Sequence, residues 1–151
     1  MPEVRSKRLQ IVLTLAERNE QAAAQEVAES RALLETEQTQ LRQLEEYTEH
    51  YLQAYSAHTR QVRAQDLITY SGFIQRLSKV RAEQQHKLER ITRLYEEKLQ
   101  QWREKYQRRQ SIADLITRLQ QEENAVLEKK LQKELDDLTT QKFRSSSPDI
   151  S

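Results

Sequence analysis

The stretch LQIVLTLAERNEQAAAQEVAESRALLETEQTQLRQLEEYTEHYLQAYSAHTRQV, residues 9–62, decides the fold when it is read in alternating steps of three and four. The steps land on Leu9, Leu13, Ala16, Glu20, Ala23, Val27, Ser30, Leu34, Glu37, Leu41, Leu44, Thr48, Tyr51, Tyr55, His58 and Val62, and eleven of these sixteen positions are apolar. A stripe with that period is a heptad seam. It runs along one side of a long helix and is narrow enough to be covered by a second helix laid beside it. The seam predicts helix one at about residues 5–57.

Beyond it, residues 56–65 hold only Ala57, Val62 and Ala64 as apolar side chains, among poor helix formers such as Ser56, His58 and Thr59. This predicts a turn at about residues 58–65. A second seam begins with Phe73, Leu77 and Val80, continues through Leu88, Ile91, Tyr95, Leu99, Trp102 and Tyr106, and ends with Ile116, Leu119, Val126, Leu131, Leu135 and Leu138. It predicts a longer helix two at about residues 66–142. Consecutive steps of four at 91, 95 and 99, and at 127, 131 and 135, lift the period above 3.5 and relax a left-handed supercoil. Gly72, the only glycine, is a weak point early in this helix. Residues 144–151, RSSSPDIS, read as a disordered tail after a single hairpin at 1–143.

Composition agrees. Ala, Glu, Lys, Leu and Arg make up 75 of 151 residues, and a mean hydropathy of −0.97 leaves too little apolar surface for a thick core. The expected fold is therefore all-α, two long helices in an antiparallel coiled-coil hairpin. The net charge of +1 gives no global basic field for nucleic acid or acidic lipid, so a protein partner is expected. With no Cys, disulfides and thiolate catalysis are excluded, which fits a reducing compartment such as the cytoplasm. The basic start followed by LQIVLTLA has the outline of a secretory signal. Its apolar run spans only Leu9 to Ala16, is interrupted by Gln10 and Thr14, and lacks a cleavage site. No stretch approaches the roughly 20 apolar residues of a membrane span.

Charge separates a hairpin from a parallel homodimer. Residues 20–49 carry eight Glu against Arg31 and Arg42, whereas residues 76–109 carry eleven Lys and Arg against five Glu. A turn near residue 62 pairs position i with about 124 − i, laying the acidic segment along the basic one, and a parallel dimer stacks like on like. The same register sets Ala22, Ala23 and Ala24 opposite Trp102, small against large. It leaves Gln120 to Lys142 projecting beyond the start of helix one.

Catalytic patterns are missing: there is no phosphate-binding glycine loop, no nucleophile elbow and no Cys/His metal spacing, so neither enzyme activity nor a metal or cofactor is expected. His50, His58 and His86 never lie three or four residues apart, and Glu45–Glu46 and Glu122–Glu123 read as solvated pairs on different helix faces. WREKYQRRQ, from Trp102 to Gln110, mixes bases and aromatics as a nucleic-acid helix does, but Glu104 interrupts it and Trp102 and Tyr106 fall on the seam. Five of nine aromatics, Tyr47, Tyr51, Tyr55, Tyr70 and Phe73, flank the turn. Leu44, Tyr47 and Tyr51 form a stripe near Phe73, Leu77 and Val80, and an exposed aromatic stripe marks a docking surface as readily as it fills a core.

YSGFIQRL (Tyr70 to Leu77), WREK (Trp102 to Lys105), LQIVLTLAERNEQAAAQ (Leu9 to Gln25) and KELDDL (Lys133 to Leu138) occur in the order seen in the bacterial flagellar export protein FliJ, and the chain resembles that family over nearly its whole length. Gly72 departs from the polar residue expected in the first motif. The resemblance implies a soluble stalk of the flagellar type III export apparatus. Its helix ends would enter the ring of the export ATPase FliI, and its hairpin would contact the export gate protein FlhA and the export chaperones, at the inner face of the cell membrane. The resemblance carries the gate surface to Gln40, Leu44, Tyr47, Tyr51, Phe73, Leu77, Val80 and Gln84. Leu9, Leu13, Leu131, Leu135 and Leu138 are the candidates for the ring. Competing readings are the equivalent stalk of a virulence injectisome and a structural homodimeric coiled coil.

Overall fold

The computed structural model describes residues 5–58 and 63–146, which form two helices, α1 (Arg5–His58) and α2 (Ala64–Ser146), with no strand among them. The expected all-α, two-helix architecture with a longer second helix is what the chain adopts. Half of the expected turn, 59–62, and most of the expected tail, 147–151, lie outside the described residues. Helix α2 runs four residues past the expected end at Lys142, because no breaker intervenes before Pro148, whose ring disfavours helix in the residue preceding it. At its other end the Arg63 carbonyl accepts the N–H groups of Asp66 and Leu67 at 3.0 and 3.1 Å, and Asp66 places an acid in the first turn, where the helix dipole favours one.

The chain divides into two compact units. One is Gln21–Glu104; the other joins α1 through Glu20 to α2 from Lys105 onward. Along α1 the heptad reading holds at every step whose burial is described, His58 and Val62 lying outside those residues. All fourteen seam positions from Leu9 to Tyr55 are buried or half-buried, and among the described residues of α1 the only others so covered are Ser6, one step earlier on the same seam, and Ala54.

In the Gln21–Glu104 unit, the core is a file of Leu34, Leu41, Leu44 and Tyr51 from α1 with Leu77, Leu88 and Ile91 from α2. Every ion pair described here between the two helices sets a Glu of α1 against a base of α2: Glu26 with Lys98 at 3.3 Å, Glu37 with Lys87 at 3.1 Å and Glu45 with Arg81 at 3.2 Å. The complementary charge segments therefore meet as expected. The outer pairs are part-exposed and select the antiparallel partner more than they stabilise it. Ala24 and Ala28 share a groove with Trp102, so the small-against-large expectation holds at Ala24.

The α2 seam needs two corrections. Val80 and Tyr106, placed inward by apolar spacing, face solvent, and Gln84 and Arg109 hold the covered positions. The cause stands across the seam. Glu37 is buried on α1, and Gln84 Nε2 donates both to its carboxylate and, at 3.3 Å, to its backbone carbonyl. In the other unit Glu20 accepts a hydrogen bond and ion pair from Arg109. A carboxylate sheltered from water needs donors, and that requirement outweighs the placement of one more apolar side chain.

The unit joining the start of α1 to α2 also differs in register. Glu20 meets Arg109 and Ser6 meets Glu123, each five residues later on α2 than the 124 − i rule gives. Glu123 is therefore half-buried rather than solvated, and α1 covers α2 as far as that residue instead of stopping near Leu119. The Ser6 amide and hydroxyl donate to the two Glu123 carboxylate oxygens at 3.2 and 2.6 Å. Helix α1 has no acid of its own in its first turn, and a carboxylate from α2 fills that role.

Candidate functional site

Five of the nine aromatic residues form one cluster in the Gln21–Glu104 unit. Tyr51 is its centre, with ring centroids 4.5 Å from Phe73, 5.1 Å from Tyr70 and 6.4 Å from Tyr47, while Tyr55 lies 4.7 Å from Tyr70. Burial, aided by the neighbouring phenols of Tyr70 and Tyr47, pushes the Tyr51 hydroxyl pKa above its ordinary value. Heptad spacing turns Tyr51 and Tyr55 inward, and Tyr47, one turn earlier and off the seam, lies at the cluster's solvent edge.

The eight candidate gate residues divide by exposure. Gln40, Tyr47 and Val80 are exposed, Leu44, Tyr51, Phe73 and Gln84 are half-buried, and Leu77 is buried at 9%. Leu77 belongs to the core. Phe73 is split, with one side against Tyr51. Gln84 is committed to Glu37. The exposed members of the set are Tyr47 and Val80, which are apolar, and Gln40.

The five ring candidates lie in the other unit and divide in the same way. Leu9 and Leu13 are half-buried on the α1 seam, whereas Leu131, Leu135 and Leu138 are exposed. Val126 and Leu127 are exposed as well, so α2 past Glu123 carries an apolar stripe that continues the line of Ile116 and Leu119. The sequence reading took Val126 as seam and noted the steps of four through 127, 131 and 135, but did not name Leu127 among the seam or ring residues. It also left out Ile11 and Leu15, exposed apolar residues that fall outside the three-and-four step.

Among the described residues no group of three or more His, Asp and Glu is arranged to hold a metal, and no helix is long and apolar enough to cross a membrane. His86 lies 3.7 Å from Glu89 on the exposed face of α2. The geometry offers surfaces for macromolecules. The family model described as the flagellar FliJ protein matches residues 6–147. No curated protein and no solved structure is similar enough to count as a match. The match spans nearly all of both helices, and the chain belongs to the FliJ family, a non-catalytic component of the flagellar export apparatus.

Proposed function

We propose that the chain is the soluble stalk or adaptor of the flagellar type III export apparatus. It binds the export ATPase ring formed by FliI through the apolar stripe of α2 beyond Glu123, and meets the export gate protein FlhA and the export chaperones through the Gln21–Glu104 unit. The observation that carries this reading is the stripe itself. Leu127, Leu131, Leu135 and Leu138, at steps of four, four and three, share one helix face, and all are exposed. A helix face of that kind is stable in water at the cost of exposed apolar area, and it calls for a partner surface. Leu9 and Leu13 contribute by holding α1 against α2. The gate contact centres on Tyr47 and Val80, with Tyr51, Phe73 and Leu77 shaping the backing. On this reading the protein works in the cytoplasm, and its place at the membrane comes through the gate.

The test is the double variant Leu131→Asp, Leu135→Asp. Both side chains are exposed, so the helical circular dichroism should be unchanged, while copurification with the ATPase ring and stimulation of its hydrolysis are lost. A variant that remains helical and still stimulates the ATPase per molecule overturns the assignment.

A further inference from the structure

Two rows of side chains flank the seam of the Gln21–Glu104 unit, each in steps of seven: Leu33, Gln40 and Tyr47 on α1, and Val80, Lys87 and Leu94 on α2. Glu37 and Gln84, hydrogen-bonded to each other, place both rows on the same flank. Leu33 and Gln40 stand at i−4 and i+3 of Glu37, and Val80 and Lys87 stand at i−4 and i+3 of Gln84. Two antiparallel helices are related by a two-fold rotation, so equal offsets from facing residues fall on the same side. The ion pairs agree: Lys87 reaches Glu37 at 3.1 Å, and Glu26, seven residues before Leu33, reaches Lys98, one turn past Leu94, at 3.3 Å. Both rows end in exposed apolar side chains, Leu33 at 42% and Leu94 at 39% toward one end, Tyr47 at 53% and Val80 at 48% toward the other. Among the described residues of this unit, only six large apolar side chains are exposed, and these are four of them. A two-helix seam is complete without them.

We infer that Leu33 and Leu94 extend the gate-contact surface by two heptads, and that the whole flank receives one amphipathic helix of the gate protein. This rests on the reading of Tyr47 and Val80 as the gate contact and adds to it a second apolar end and the form of the partner. Apolar residues beside the seam widen the stripe of each helix past what its mate covers, and a third helix laid along the groove between the two is the element that covers a stripe of that width. Fourteen residues separate Leu33 from Tyr47 and Val80 from Leu94. That is about 21 Å, or about four turns of a docked helix. The middle of the flank is polar and rich in donors. Gln40 is exposed there, and the Lys87 ammonium has N–H donors beyond the one facing Glu37. The partner helix therefore carries aliphatic side chains about four turns apart, with a carboxylate or amide oxygen between them. The surface lies in the unit that holds none of the residues proposed for the ATPase ring.

The experiment titrates the full chain with the soluble domain of the gate protein, beside circular dichroism of each sample. Leu33→Gln with Leu94→Gln should keep the helical spectrum and weaken binding roughly tenfold, as removal of two apolar anchors does. Tyr47→Ala serves as the reference for the gate reading. If it weakens binding while the Leu33 and Leu94 variant binds as the wild type does, the extension is overturned and the gate reading stands. If neither weakens binding, both fall. A second measurement leaves Leu94 and the rest of the seam untouched. The chain has no Cys, so a single Cys at position 33 or 47 carries a photo-crosslinker at one known place. Crosslinks from the two positions should land in one gate segment, about 14 residues apart. A spacing of about six residues marks an extended segment, and landing in unconnected segments marks two separate contacts; either overturns the single helix. Loss of chaperone binding by the Leu33 and Leu94 variant, with gate affinity intact, also overturns the inference and assigns this end to a chaperone. A change in its sedimentation mass without the gate domain assigns it to a second copy instead.

Discussion

Ser6 and Glu123 are joined by two hydrogen bonds across 117 positions of sequence, the serine amide and hydroxyl each donating to one carboxylate oxygen. One side chain thus caps the start of α1 and fixes its register on α2. Replacing Ser6 by Ala removes the hydroxyl bond and should cost about 1 kcal/mol, the usual net size of a lost hydrogen bond. Glu123→Ala removes both bonds and should cost at least as much. Urea melts of the two single variants and the double variant check this, and the double should cost clearly less than the sum because the groups share one interaction.

Glu37 makes the stability depend on acid in a defined direction. Hydrogen bonds from Gln84, then from Lys87, hold its carboxyl below the ordinary value of 4.5, against burial, which pushes it up. A carboxylate with a depressed folded pKa contributes stability that is fully present above 4.5 and is lost as pH falls through the folded value. Glu37→Gln should therefore melt below the wild type at neutral pH, and the gap should close as pH is lowered past that point. Melts across the pH range decide it: a gap independent of pH would falsify the role given to the charge.

Leu77 and Val80 sit three residues apart and should behave oppositely. Leu77 is 9% exposed, and truncation to Ala should cost about 2–5 kcal/mol. Val80 is 48% exposed, and its truncation should change stability by about 0.5 kcal/mol or less. For binding the order reverses. Val80→Ala and Tyr47→Ala should each weaken the gate domain's affinity by about 1 kcal/mol or more, whereas folded Leu77→Ala should bind nearly as the wild type does. Thermal melts and gate-domain titrations on the same preparations test both halves.

Gly72 lies within α2 with no positive φ, and a Cβ added there meets nothing within 4 Å. Nothing in the backbone demands glycine. Gly72→Ala should raise stability by about 0.4–1 kcal/mol through the entropy of the unfolded chain and helix propensity. A melting temperature that falls would overturn the reading that this helical position tolerates a side chain.

How much of this was legible depends on whether apolar spacing carried the signal. On α1 it did: the Leu9-to-Tyr55 stripe mapped onto covered positions even where the residue was Ser30 or Glu37, because the heptad is geometric and tolerates an occasional polar member. The charge segments likewise foretold which helix would supply Glu26 and which Lys98. On α2 the reading failed where an inward position is polar. Gln84 and Arg109 are covered because Glu37 and Glu20 face them, and no scan of α2 alone contains that information. The same blindness displaced the register, since Ser6 and Glu123 identify each other only after folding. At the candidate site, residue types and helix positions were readable. Which members were open was not: that Leu77 is covered and Tyr47 bare depends on which flank of the seam each occupies.

The contact between Ser6 and Glu123 also works as a ruler. It pins the first turn of α1 to one point on α2, and so fixes how far the exposed leucines reach beyond that point. Sliding the pair by one heptad would strand both polar groups, so the projecting length resists drift as well as being specified. Lengthening α2 by whole heptads after residue 123 should carry Leu131, Leu135 and Leu138 outward by about 10 Å per heptad while leaving the cap intact. The reach of the proposed ATPase-binding end is therefore adjustable in discrete steps, independently of what holds the hairpin closed.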